Sequence, residues 1–136
     1  MKFYAAEELK DMEGNVCREP LKDANGKLVN PKFNDKGDVI DCDMRAQTHG
    51  LIAARSLTHK FEGDGDLQPE EMAKRFVLGA RLIAADEVEL SLDEAKLIKD
   101  RVAKFGMVAA PIIIAMNEAA ASPKPNGKAK AEARAN

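Results

Sequence analysis

Aromatic residues are scarce in this chain. Tryptophan is absent, tyrosine occurs once, at Tyr4, and phenylalanine five times. A surface that works by stacking on bases or sugars is therefore disfavoured. An excess of one charge is lacking too. Twenty-one Lys and Arg stand against 23 Asp and Glu, a formal net charge of −2, which provides no chain-wide positive field for DNA. Cysteine occurs only as Cys17 and Cys42, without the paired spacing of a zinc or redox motif. A reduced intracellular protein is expected, and a single Cys17–Cys42 disulfide is the alternative. The opening MKFYAAEELKDME is too acidic, and too short in apolar run, for a signal peptide. No run is expected to reach membrane-span length. A cytoplasmic location is the expectation.

Catalytic signatures are equally sparse. No phosphate loop or metal-ligand spacing is present, so no catalytic, cofactor-binding or metal residue is assigned and an enzyme is not expected. The acidic loop 62–66, followed by Glu70 and Glu71, superficially suggests calcium. Counting from Asp64, however, Pro69 falls at the sixth position, where a calcium loop needs glycine. His49 and His59 have no carboxylate or thiol placed to complete a site, and core or surface roles are expected for both. Met44, Met72, Met107 and Met116 sit at helical or helix-adjacent positions and read as core filler.

What is present is a strong local folding signal at residues 88–105, VELSLDEAKLIKDRVAKF. Ser91 and Glu94 have capping-box spacing, and Asp93 and Glu94 suit the positive end of a helix dipole. Ala95, Ile98, Val102 and Phe105 recur at spacings of three and four and predict the buried face. Lys96–Asp100 and Asp100–Lys104 are i,i+4 opposite-charge pairs, and Gly106 is a helix stop. Upstream, Val88 and Leu90 alternate with Glu87 and Glu89, as in a short extended segment with one wet face.

Three regions follow. Residues 1–42 are rich in turns. Asn25-Gly26 predicts a type I′ hairpin turn, with residues 16–22 as one strand, confined to an edge by Pro20, and Leu28-Val29 pairing back. A second loop covers residues 34–38, and residues 39–42 look like a strand end. Residues 43–121 read as helical. A first helix is capped by Asp41 or Asp43 and runs to about Thr58, with Met44, Thr48, Leu51 and Arg55 on one face. Gly50 inside it suggests close packing. A second starts at Pro69, reinforced by Glu70 and Glu71, with Met72, Phe76, Gly79 and Ile83 as its buried face. The third is the segment at 88–105. A fourth, 112–121, starts after Pro111, and its three isoleucines suggest burial nearly all round. The second and third helices do not form a helix-turn-helix, because an extended stretch separates them. Residues 122–136, SPKPNGKAKAEARAN, have no apolar face and should be a disordered basic tail.

The order of a hairpin LKDMEGNVCREPLKDANGKL, a helix, then a helix ending in ADEVELSLDEAKLIKDRVAKFG and a short apolar helix resembles small proteins of unknown function from tailed bacteriophages and prophages. Residues 85–106 are its specific part, and with the hairpin it covers about half the chain. Residues 30–38 and the tail depart from that pattern. The resemblance implies a virus–host setting and carries no catalytic residues.

The expected fold is α+β: a β-hairpin or meander (1–42) packed on a bundle of about four helices (43–121) in one compact domain, with the tail at 122–136. The expected function is protein–protein binding by a phage accessory protein, directed at a host or defence factor. Virion or tail assembly and weak nucleic-acid binding through the tail are the alternatives. Candidate partner-binding residues are Arg18, Lys22, Asn25 and Lys27 in the hairpin, Asp64 and Asp66 in the acidic loop, and Lys124, Lys128, Lys130 and Arg134 in the tail. No cofactor or membrane is implied, and the oligomeric state is left open.

Overall fold

The computed structural model describes residues 1–121. The expected disordered tail, with its four cations, lies outside them. The fold is mixed. Strands β1 (Lys2–Phe3), β2 (Arg18–Pro20), β3 (Lys32–Phe33), β4 (Val39–Asp41) and β5 (Met44–Ala46) precede helices α1 (His49–Thr58) and α2 (Pro69–Ala84). Strand β6 (Val88–Glu89), helix α3 (Leu92–Val102), a 3-10 stretch (Ala103–Ala109) and helix α4 (Ala110–Ala121) follow. The strands pair antiparallel as β1–β6, β2–β5 and β3–β4.

The helical part has three units, not the expected four-helix bundle. Residues 92–121 form one helical run broken at Gly106, whose φ of 80° and ψ of −153° end the first arm. That run is long and apolar enough, by length and composition, to cross a membrane, contrary to the expectation that none would be. It is not a straight rod. Lys99 Nζ donates to Asn117 Oδ1 at 3.0 Å, whereas 18 residues of straight helix would hold them about 27 Å apart. The chain doubles back at Gly106 and α4 lies along α3 and β1.

The body's core draws on β1, α1, α2, β6, α3 and α4. Phe3, Leu9, Leu57, Leu82, Val88, Ile98, Val102, Ile112 and Met116 are buried together. The β1–β6 pairing sets Phe3 opposite Val88, so the short extended segment expected before α3 is a strand with Val88 inward. The capping box is complete: Glu94 N donates to Ser91 Oγ at 3.1 Å, and Ser91 N to Glu94 Oε1 at 2.9 Å. Ala95, Ile98 and Val102 are buried as expected, and Arg101 joins them. Lys104 does not serve an i,i+4 pair; it turns to Asp64, 3.5 Å away.

Helix α1 departs from expectation. Its cap is Thr48, whose side chain accepts from Leu51 N. Residues Met44–Ala46, expected in the helix, are strand β5, because Arg18–Pro20 offers them a ladder. The contact of α1 with α2 runs through small residues. A Cβ on Gly50 would collide with the Leu82 carbonyl and come within 2.7 Å of the Ala5 Cβ, and one on Gly79 would only touch Ala54. This close approach selects the buried face of α2: Leu78, Gly79 and Leu82 go inward. The expected inward residues Met72, Phe76 and Ile83 are exposed. In α4 the isoleucines divide, with Ile112 buried and Ile114 56% exposed.

Residues 10–48 make a β arm in which no residue is buried. It is a set of small β-hairpins, as expected in part, built on three turns of one design, with Cys17 packed against the core. Asp11, Asp23 and Asn34 each accept two backbone N–H bonds on a side-chain oxygen, from the residues two and four positions on, at 2.9–3.0 Å. The glycine three positions on has positive φ in each: Gly14, Gly26 and Gly37. These are type I turns closed by a glycine bulge. The expected type I′ turn is excluded because Asn25 does not have positive φ. Lys22 bridges Leu28, as expected for that hairpin, but the strand at 18–20 pairs with β5.

The return segment ties the first two hairpins together. Leu9 N donates to Gln47 O, Gln47 N to Cys17 O, and Cys17 N to Leu9 O, all at 2.8 Å. Farther along, Leu21, Asp43 and Val29 repeat the same ring at 2.8–3.1 Å. The arm is thus held by backbone hydrogen bonds in place of a core. Both thiols are free and half-buried, so the Cys17–Cys42 disulfide does not form.

Candidate functional site

Two places concentrate polar chemistry, the joint between arm and body and the loop joining α1 to α2, while the far end of the arm exposes apolar side chains. At the joint, Glu19 of β2 is gripped from two sides. Its carboxylate accepts from Arg55 Nη1 and Nη2 at 2.6 and 2.7 Å, from Arg45 Nε and Nη2 at 3.0 and 2.8 Å, and from Gln47 Nε2 at 3.0 Å. Arg45 and Gln47 belong to the return segment and Arg55 to α1, so one carboxylate fastens arm to body. The Arg55 hydrogen bonds, opposed in part by burial and aided by Gln47 and Arg45, lower its pKa to about 2. Beside the joint, His49 is buried, with Nδ1 3.3 Å from Glu7 Oε2. Burial pushes its pKa below the ordinary value, and the Glu7 charge opposes that shift in part.

In the α1–α2 loop, Arg101 reaches out of the core of α3. Its Nε donates to Ser56 O at 2.9 Å and its Nη2 to His59 O at 2.7 Å, satisfying carbonyls at the end of α1. The rest of the guanidinium meets Asp64 side-on, at 3.1 and 3.0 Å. Asp64 also accepts from Phe61 N at 2.8 Å, and Phe61 lies under the guanidinium, 5.0 Å from ring centroid to carbon. Arg101 foremost, then the Phe61 amide, holds the Asp64 carboxyl well below the usual range. Asp64 is therefore a structural acceptor that closes the loop. Asp66, 98% exposed, has a 3.3 Å contact to Lys60. Among the described residues, no group of three or more His, Cys, Asp or Glu is placed to hold a metal ion.

The far end of the arm is different in kind. Phe33, Val39, Ile40 and Met44 are 58, 45, 65 and 47% exposed. Phe33 pairs directly with Val39 across the third hairpin.

The structure gathers the hairpin candidates on the arm. Arg18 stands opposite Ala46 in β2–β5, Lys22 opposite Leu28, and the amides of Asn25 and Lys27 bind Asp23 in the second turn. Asp64 and Asp66 lie on the body. Lys124, Lys128, Lys130 and Arg134 lie outside the described residues. The sequence reading missed Glu19, Arg55, Arg75 and Arg101. It also missed the repeat Asp11-x-x-Gly14, Asp23-x-x-Gly26, Asn34-x-x-Gly37, which was open to inspection and marks the three turns. No local signal points to Glu19, since its partners are 26 to 36 residues away. No protein-family model, curated protein or solved structure matches the chain.

Proposed function

We propose that the protein is a non-enzymatic binding module that grips another protein with the end of its β arm. One observation carries this reading: Phe33, Val39, Ile40 and Met44 are exposed on an arm that contributes nothing buried between residues 10 and 48. Large apolar side chains outside the core, among them the paired Phe33 and Val39, gain burial only against a partner. The three turns and the Glu19 clasp hold them in fixed geometry, which lowers the ordering cost of association. The perturbed carboxylates support the same reading. Glu19, Asp64 and Glu94 are engaged by Arg55, Arg101 and, for Glu94, the Ser91 amide with Arg81, so their shifts have structural causes. On the resemblance of the hairpin and residues 85–106, the protein is a bacteriophage accessory protein in the host cytoplasm, and its partner is a host or defence protein.

The test compares the native chain with the double variant Phe33→Ser, Ile40→Ser as bait in host lysate. Both sites are exposed, so the variant should keep the native circular dichroism and melting temperature. The native chain should retain one host protein near stoichiometrically, and the variant should lose it. Equal recovery by both baits refutes the arm reading. Recovery of only capsid or tail components replaces the host-directed role with one in assembly.

A further inference from the structure

A cavity of about 740 Å3 lies between the end of α1, the α1–α2 loop, the first turns of α2 and Arg101. Its volume is in the range of small-molecule sites, ~300–1,000 Å3. The apolar wall is Leu57, Leu67, Met72 and Phe76. Met72 and Phe76 are the residues that the glycine-mediated packing of α2 turned outward, and they are 56 and 70% exposed. The close α1–α2 contact thus leaves an apolar surface beside it.

The charges lining the cavity are Lys60, Arg75 and Arg101 against Asp64 and Asp66, three positive less two negative, with His59 set aside. Both carboxylates are engaged, Asp64 by Arg101 and Lys104 and Asp66 by Lys60. Arg75 stands apart. Its side chain is only 14% exposed, its nearest carboxylate oxygen is Glu71 Oε1 at 3.7 Å, and its buried Nε has no hydrogen-bond partner. A buried guanidinium nitrogen left without a hydrogen bond costs stability. The same group forms strong paired bonds to a carboxylate brought to it.

We propose that this cavity binds a small aromatic monoanion, its carboxylate on the Arg75 guanidinium and its ring against Leu67, Met72 and Phe76. The site is independent of the arm and of its protein partner.

Two probes of equal shape test it: naphthalene-2-carboxylate and naphthalene-2-carboxamide, titrated into the full chain and followed by 15N amide shifts. The carboxylate should move the amides of Gly65, Leu67 and Phe76 and bind about tenfold tighter than the carboxamide, the size of one charge-assisted hydrogen bond. Arg75→Met should abolish that difference, bringing the carboxylate to the affinity of the carboxamide. It should also resist urea at least as well as the native chain, which a purely structural arginine would not allow. Phe76→Ser, at an exposed position, should weaken both probes. Equal affinity for the two probes in the native chain overturns the proposal, as does a preference that survives Arg75→Met or shifts confined to other residues.

Discussion

The arm and the body of this protein solve one problem in two ways. In the body, backbone order follows from apolar burial: Leu57, Leu82, Ile98, Ile112 and Met116 are each at most 1% exposed. In the arm, residues 10–48 bury nothing fully, and order comes from three side-chain-nucleated turns and two rings of backbone hydrogen bonds. The difference teaches where polar groups matter. In the body the buried Arg101 is saturated with hydrogen bonds, whereas Arg75 leaves its buried Nε without a partner. In the arm a single polar cluster at Glu19 takes the part a core would play.

The largest effect is expected in the body. Arg101→Met removes the donors to the carbonyls of Ser56 and His59, and leaving a buried acceptor unsatisfied costs about 1–3 kcal/mol. Urea denaturation should show the whole chain losing stability. A loss confined to the 62–67 loop would mean that the body is not one cooperative unit.

The arm is expected to fail separately. Glu19→Gln removes the charge that Arg45 and Arg55 share. Hydrogen exchange should accelerate at Leu21, Val29 and Asp43, while Ile98 and Val102 keep their protection. Acid should reproduce this. Because Glu19 titrates at about 2 in the fold against 4.5 ordinarily, its contribution is full above pH 4.5 and is lost as pH falls towards 2. Equal acceleration in α3 would show that arm and body unfold together.

The smallest effect lies between the two, at His49. Its pKa is lowered by burial from an ordinary 6.5, against the opposing charge of Glu7. Below pH 6.5 the unfolded chain therefore takes up a proton that the fold resists, so stability is full above 6.5 and declines as pH falls from there. Urea midpoints at pH 7.5 and 5.5 should differ in the native chain and converge in His49→Gln. An unchanged difference would assign the pH effect to other groups.

How much was legible in the sequence follows the range of the interactions. The capping box at Ser91 and Glu94 and the stop at Gly106 were readable because their causes lie within a few residues. The three arm turns are equally local, but Asn25-Gly26 by itself reads as type I′, and the carboxylate of Asp23, two residues before Asn25, sets the turn. The face of α2 was not legible. Met72, Phe76, Val77, Leu78, Leu82 and Ile83 surround the helix, so periodicity alone does not choose among faces. The candidate site was legible only in part. Residues of the α1–α2 loop were singled out as Asp64 and Asp66, but Arg101 and Arg75 looked like ordinary positions on helices.

By itself the sequence determined the local devices: the turns, the cap on α3, the proline start of α2 and the break at Gly106. Each is a backbone hydrogen bond or a φ preference settled within about five residues. Tertiary structure alone decided that Met44–Ala46 would be a strand, that α2 would turn Met72 and Phe76 outward, and that Glu19 would meet Arg55. Those choices depend on which distant surfaces fit. Here the fit was set by the missing side chain at Gly50, which let α1 and α2 approach along one face and left the other beside a cavity.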